Sequence, residues 1–126
     1  MRDNPLAEKS YEFALKIVSL YKSVVVDKRE YVLSRQLLKS GTSIGANISE
    51  ANDAISKADF SAKISIAYKE SLETKYWLSL LPDSEYMPEE KANQLIIKAD
   101  ELSKIMFSIL KKQELENNNF SLIIAN

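Results

Sequence analysis

The sequence predicts an all-α protein, an up-down-up-down four-helix bundle, on three observations. Apolar residues recur at three- and four-residue spacing in four successive blocks, the period of a helix with a buried stripe. The three prolines, Pro5, Pro82 and Pro88, stand at the edges of those blocks, where a helix starts or stops. The connectors are short, which lays consecutive helices side by side and antiparallel. The 126 residues read as one domain, with no internal repeat or linker, long enough to bury roughly two-thirds of the chain's surface.

Helix one is predicted over 5–26. Asn4 caps it and Pro5 fills the first turn, where a missing N–H is not needed. Phe13, Ile17, Leu20 and Val24 form one apolar stripe, and Tyr11, Ala14, Val18, Tyr21 and Val25 form a second. Two seams on one helix predict more than one neighbour. The run Val24-Val25-Val26 lowers helix propensity and marks the end.

Helix two is predicted over 28–55, because Asp27 and Glu30 have capping-box spacing. Its stripe is Leu33, Leu37, Ile44, Ile48, Ala51 and Ile55. Gly41 and Gly45, the only glycines, fall one turn apart on one face, where another backbone can come close. Each costs roughly 1 kcal/mol against alanine inside a helix, so close packing has to offset it.

Helix three is predicted over 57–81, capped by Ser56 with Asp59 and stopped by Pro82. Phe60, Ile64, Ala67, Ser71, Thr74 and Leu78 make its seam; Ile66, Glu70, Glu73 and Trp77 lie beside it, and Tyr68, Leu72 and Tyr76 further round. So little purely polar surface predicts a helix that is central or touched by another subunit. Helix four is predicted over 88–113, with Pro88, Glu89 and Glu90 at its positive end and Lys111 and Lys112 at its negative end. Leu95, Ala99, Leu102, Met106 and Ile109 are its stripe. Asn117-Asn118-Asn119 then breaks the pattern, leaving an apolar tail over 120–125. Exposed, that tail would aggregate, so it is expected to dock on its own bundle or on a neighbouring subunit.

Composition narrows the chemistry. Seventeen basic and eighteen acidic residues give a net charge of −1, against the strong basic bias of a domain built to wrap nucleic acid. With no histidine and no cysteine the chain lacks the commonest general base, the most reactive nucleophile and the usual zinc ligands. Glu50, Glu70 and Glu73 would suit magnesium or manganese at best. The sequence therefore predicts no enzyme, no cofactor and no metal. No apolar run approaches the ~20 residues of a membrane span, and the N-terminus lacks the apolar core of a secretory signal; with no disulfide framework, a cytoplasmic protein is expected.

Three groups of side chains remain as candidates. Ser40, Ser43, Asn47 and Glu50 form a polar stripe beside the core face of helix two. It reads first as a hydrogen-bond network meeting Lys63, Lys69, Glu70 or Thr74 on helix three, and second as a partner contact. Trp77 and Tyr76 read as core or interface anchors ahead of a base-stacking platform, since no basic stripe flanks them. The densest basic group is Lys28, Arg29, Arg35 and Lys39, diluted by Asp27 and Glu30; it is a solvated helix face or a set of phosphate contacts.

The stretch Lys39-Ser40-Gly41-Thr42-Ser43-Ile44-Gly45-Ala46-Asn47-Ile48-Ser49-Glu50-Ala51 resembles the signature of the 23S rRNA intervening-sequence proteins, small four-helix bundles. Tyr11-Glu12-Phe13-Ala14 upstream fits as well. So do Ser56-Lys57-Ala58-Asp59-Phe60, Lys69-Glu70 and Glu73-Thr74-Lys75-Tyr76-Trp77-Leu78 downstream. The likeness runs to about Leu110. Lys39 departs from it, where relatives often carry arginine, and so does the apolar tail. The resemblance implies a homopentamer around a central channel. Through the related accessory variability determinant of diversity-generating retroelements, it also implies a partner that is a nucleic acid or a nucleic-acid enzyme.

Two functions follow as expectations. The first is a non-enzymatic assembly protein, because helices one and three carry more apolar surface than one small bundle can hide. The second is a nucleic-acid-binding accessory protein contacting RNA or DNA through Lys28, Arg29, Arg35 and Lys39.

Overall fold

A computed structural model describes the backbone of residues 4–125 and the side chains of residues 4–118. Four helices account for nearly all of it: α1 (Pro5–Lys28), α2 (Leu33–Asn52), α3 (Lys57–Asp83) and α4 (Glu89–Ala125). Each packs on its neighbours in sequence, and α1 also meets α4; among the described residues the diagonal pairs come together only through core side chains, without close backbone approach. Cross-bundle bonds set the directions. Asn4 at the start of α1 reaches Asn52 at the end of α2, Lys63 of α3 reaches Glu50 of α2, and Ser71 of α3 meets Ser103 of α4. Each pair joins antiparallel neighbours, so the bundle runs up, down, up, down.

The core forms where the three-four stripes converge. Phe13, Ile17, Leu20 and Val24 of α1 meet Leu37, Ile44, Ile48 and Ala51 of α2, and Ile64, Ala67 and Leu78 of α3 meet Ala99, Leu102 and Met106 of α4. The predicted start of α1 holds: Asn4 Oδ1 accepts from the Ala7 N–H at 3.1 Å. So does that of α3, where Ser56 Oγ accepts from the Asp59 N–H at 3.0 Å.

The connection between α1 and α2 differs from expectation. Helix α1 runs through the valine run to Lys28, because Val24 lies in the core and its packing outweighs a few tenths of a kcal/mol of propensity. Arg29 then turns the chain in the left-handed region (φ 53°), its N–H bonding to the Val25 carbonyl. Asp27 therefore caps nothing; its carboxylate takes the Ser23 hydroxyl at 3.2 Å. The cap falls to Glu30, whose carboxylate accepts from the N–H groups of Val32, Leu33 and Ser34 at 2.9, 2.9 and 2.7 Å. Helix α2 thus starts at Leu33, and it stops at Asn52. Ile55, expected in its stripe, stands in the following loop and is 94% exposed.

Two more ends move outward. Pro82 does not stop α3: it occupies the last turn, where the single N–H it lacks is not required for one more residue of helix. Helix α4 continues through Asn117-Asn118-Asn119 as a 37-residue rod, because asparagine costs only about half a kcal/mol per residue, too little to end an established helix. The tail over 120–125 is thus the backbone continuation of α4 as far as Ala125. The expected docking of its side chains lies outside the described residues. Helix α3, expected to be central or touched by another subunit, packs along both α2 and α4 and keeps an exposed outer face. Among the described residues, no helix is long and apolar enough to cross a membrane.

Candidate interaction surfaces

The two glycines settle how α1 meets α2. A Cβ on Gly41 would stand 2.8 Å from Ile17 Cγ2, and one on Gly45 would stand 3.3 Å from the Ser10 carbonyl oxygen. Gly45 therefore lets the two backbones come close at Ser10, and Gly41 makes room for the Ile17 side chain. What is left above the contact is a shallow groove of about 460 Å³, lined by Ala7, Glu8, Ser10, Tyr11, Ala14, Thr42, Gly45, Ala46 and Ser49, with Glu8 as its one charge. Small residues make its floor; Tyr11, 65% exposed, makes one wall, with Leu15 exposed beyond it. The second α1 seam ends here: Ala14, Val18, Tyr21 and Val25 are half-buried along the α2 side. The groove escaped the sequence reading, although Thr42, Gly45, Ala46 and Ser49 recur at three- and four-residue spacing.

The outer face of α3 is the reverse in shape. Ile66, Leu72 and Tyr76 project from it, 44, 42 and 59% exposed. Beside them Trp77 is half-buried, its indole N–H donating to Glu73 Oε2 at 3.0 Å and its ring meeting Tyr76 edge-on at 5.0 Å. Tyr76 and Trp77 are thus a surface aromatic pair, one outside and one half inside.

The polar stripe of α2 divides along its length. Ser40 is buried, its hydroxyl 3.0 Å from that of Thr74, and Thr74 donates to the Glu70 carbonyl of its own helix at 2.7 Å. Asn47 bonds back to the Ser43 carbonyl, and both are half-buried. Exposed Glu50 pairs with Lys63 at 2.7 Å, which raises the lysine above its usual range. Lys69 is exposed and takes no part. Burial, with Glu73 one turn away, pushes the Glu70 carboxyl up, while the Lys39 ammonium pulls it back. Among the described residues, no three acidic side chains converge on a point able to hold a metal ion. A second buried pair, Ser71 with Ser103 at 2.7 Å, fixes α3 against α4. Ser103 gave no signal in sequence, since one serine inside an apolar stripe looks like filler until its partner is known.

The four basic candidates lie at one corner. Lys28 ends α1, Arg29 makes the turn, and Arg35 and Lys39 stand one turn apart on α2, all exposed. Among the described residues none of them is in an ion pair.

The four-helix geometry matches known proteins. One similar solved structure is the 1.70 Å crystal structure of a protein of unknown function from the S23 ribosomal protein family of Bacteroides thetaiotaomicron VPI-5482. It is 49% identical over 84% of this chain and 98% of the other, with a TM-score of 0.82. No match is found among curated proteins. The sequence pattern of the 23S rRNA-intervening sequence proteins fits residues 2–108, from before α1 into the middle of α4, and the chain belongs to that family.

Proposed function

We propose that this protein is a non-enzymatic scaffold that assembles head to tail into a closed homo-oligomer. The ridge on α3 of one copy meets the groove between α1 and α2 of the next. Five copies is the number the family resemblance implies. The observation that carries the reading is the outer face of α3, where Ile66, Leu72 and Tyr76 are exposed with Lys69 and Glu73 as the charges among them. A face this apolar on a helix that packs along α2 and α4 on its inner side is what a subunit contact needs. The α1–α2 groove supplies its complement, small residues over near-touching backbones. Two different patches joined in a repeating contact close into a ring when the rotation allows.

Sedimentation at micromolar concentration checks it. The wild type is expected to run as a multimer. Ile66→Glu with Tyr76→Glu is expected to run as a folded monomer with unchanged helical circular dichroism, because neither side chain belongs to the buried core. A monomeric wild type, or a double variant that still assembles, refutes the reading.

A further inference from the structure

We infer that the basic corner formed by Lys28, Arg29, Arg35 and Lys39 docks against the acidic α3–α4 corner of a second copy of this chain. The inference rests on the head-to-tail assembly above and names what covers its charged edge.

The two acids that dilute the basic group in sequence keep their charge, so the group stays net positive with four cations to two acids, of which only Glu30 is buried. Asp27 holds the Ser23 hydroxyl, and Glu30 is buried in the N-terminus of α2. Four exposed cations remain outside any ion pair among the described residues; of these, Lys39 is within electrostatic reach of Glu70 on α3 of the same copy. At the same end, the α3–α4 connection carries Asp83, Glu85, Glu89 and Glu90, all exposed and likewise without an ion pair, with Lys91 as the one cation beside them. That the two corners share an end is direct: Asp27 and Lys28 line one side of a cleft of about 660 Å³ whose other side is Pro82, Glu85 and Pro88.

With the helices running along the ring axis, rotation about it keeps like ends level. The α1–α2 flank of each copy then meets the α3 flank of its neighbour with the basic corner and the acidic corner at the same height. A two-fold contact of either flank with itself gains nothing from these charges, since it sets like corner on like corner or places them at opposite ends. Charge and apolar shape therefore select the same neighbour and the same direction of assembly.

The test reverses each corner and then both. Arg29→Glu with Arg35→Glu changes exposed positions at a turn and in the first turn of a helix, where an acid is tolerated or favoured. Asp83→Lys with Glu85→Lys places cations at the end of α3, where they suit the helix dipole. Each double variant is expected to weaken self-association about ten-fold or more at low salt, and the loss is expected to vanish at high salt. The fourfold variant, with both corners reversed in one chain, is expected to regain wild-type affinity. If the wild type assembles but neither double variant shifts its dissociation constant, or the fourfold variant is not restored, the docking is wrong while the assembly stands. A monomeric wild type removes both. Binding to a mixed-sequence duplex RNA that is lost in Arg29→Glu with Arg35→Glu, while self-association is untouched, assigns the basic corner to nucleic acid and overturns the inference.

Discussion

Gly41→Val is expected to destabilise the protein by about 3 kcal/mol, although almost any residue is a better helix former than glycine. The reason lies across the α1–α2 contact. A Cβ at position 41 would come within 2.8 Å of Ile17 Cγ2, 2.9 Å of Cγ1 and 3.3 Å of Cβ. Ile17 has no room to yield: it is fully buried, and a β-branched side chain in a helix has one strongly preferred rotamer. Helix α1 must then move away from α2, opening the core around Leu37 and Ile44. A second substitution isolates the cause. Ile17→Ala alone costs about 2–5 kcal/mol, but in the Gly41→Val background it removes the obstruction, so the pair is expected to be less destabilised than the sum by about 1–2 kcal/mol. Urea denaturation of the four proteins measures this. Additive losses would mean that the glycine is not there for Ile17.

Glu30→Ala is expected to cost about 2 kcal/mol, because one carboxylate satisfies three N–H groups at the start of α2. Nothing replaces it, since Val32, at the N-cap position, offers no side-chain bond. Burial works to raise the Glu30 carboxyl, but the N–H groups of Leu33, Ser34 and Val32 and the Ser34 hydroxyl outweigh it and hold it below the usual glutamate range. The folded state thus binds this proton less readily than the unfolded chain. The stability Glu30 adds is present in full above the ordinary value of 4.5 and fades as pH falls through the lower folded value. The wild type is expected to lose stability over that acid window, and Glu30→Gln is expected to lose less there. Parallel pH profiles for the two proteins would show that the cap does not depend on charge. Glu70 has the opposite sign: its carboxyl is raised, so its contribution is fullest below 4.5 and declines as pH rises through the folded value.

Much of the candidate surface was legible in the sequence, residue by residue but not as a surface. The basic group was visible because Lys28, Arg29, Arg35 and Lys39 are close in the chain. Its acidic counterpart was not, because Asp83, Glu85, Glu89 and Glu90 are far along the chain, and only antiparallel folding brings them to the same end. The aromatic pair Tyr76 and Trp77 was recognised, yet adjacent residues on a helix point about 100° apart. Which one faces out depends on where α2 and α4 lie.

Four helices, the starts of α1 and α3, and the residues that share a face on each were legible in the chain alone. Those are local matters: a three-four period and an Asn4 or Ser56 cap act within a turn or two of the chain. Helix packing settled what those local signals left open: that the valine run stays helical because Val24 is buried, and that α3 packs along α2 and α4 with its apolar outer face exposed. These depend on contacts between residues distant in sequence, and burial against such partners outweighs the few tenths of a kcal/mol by which local propensity ranks the alternatives.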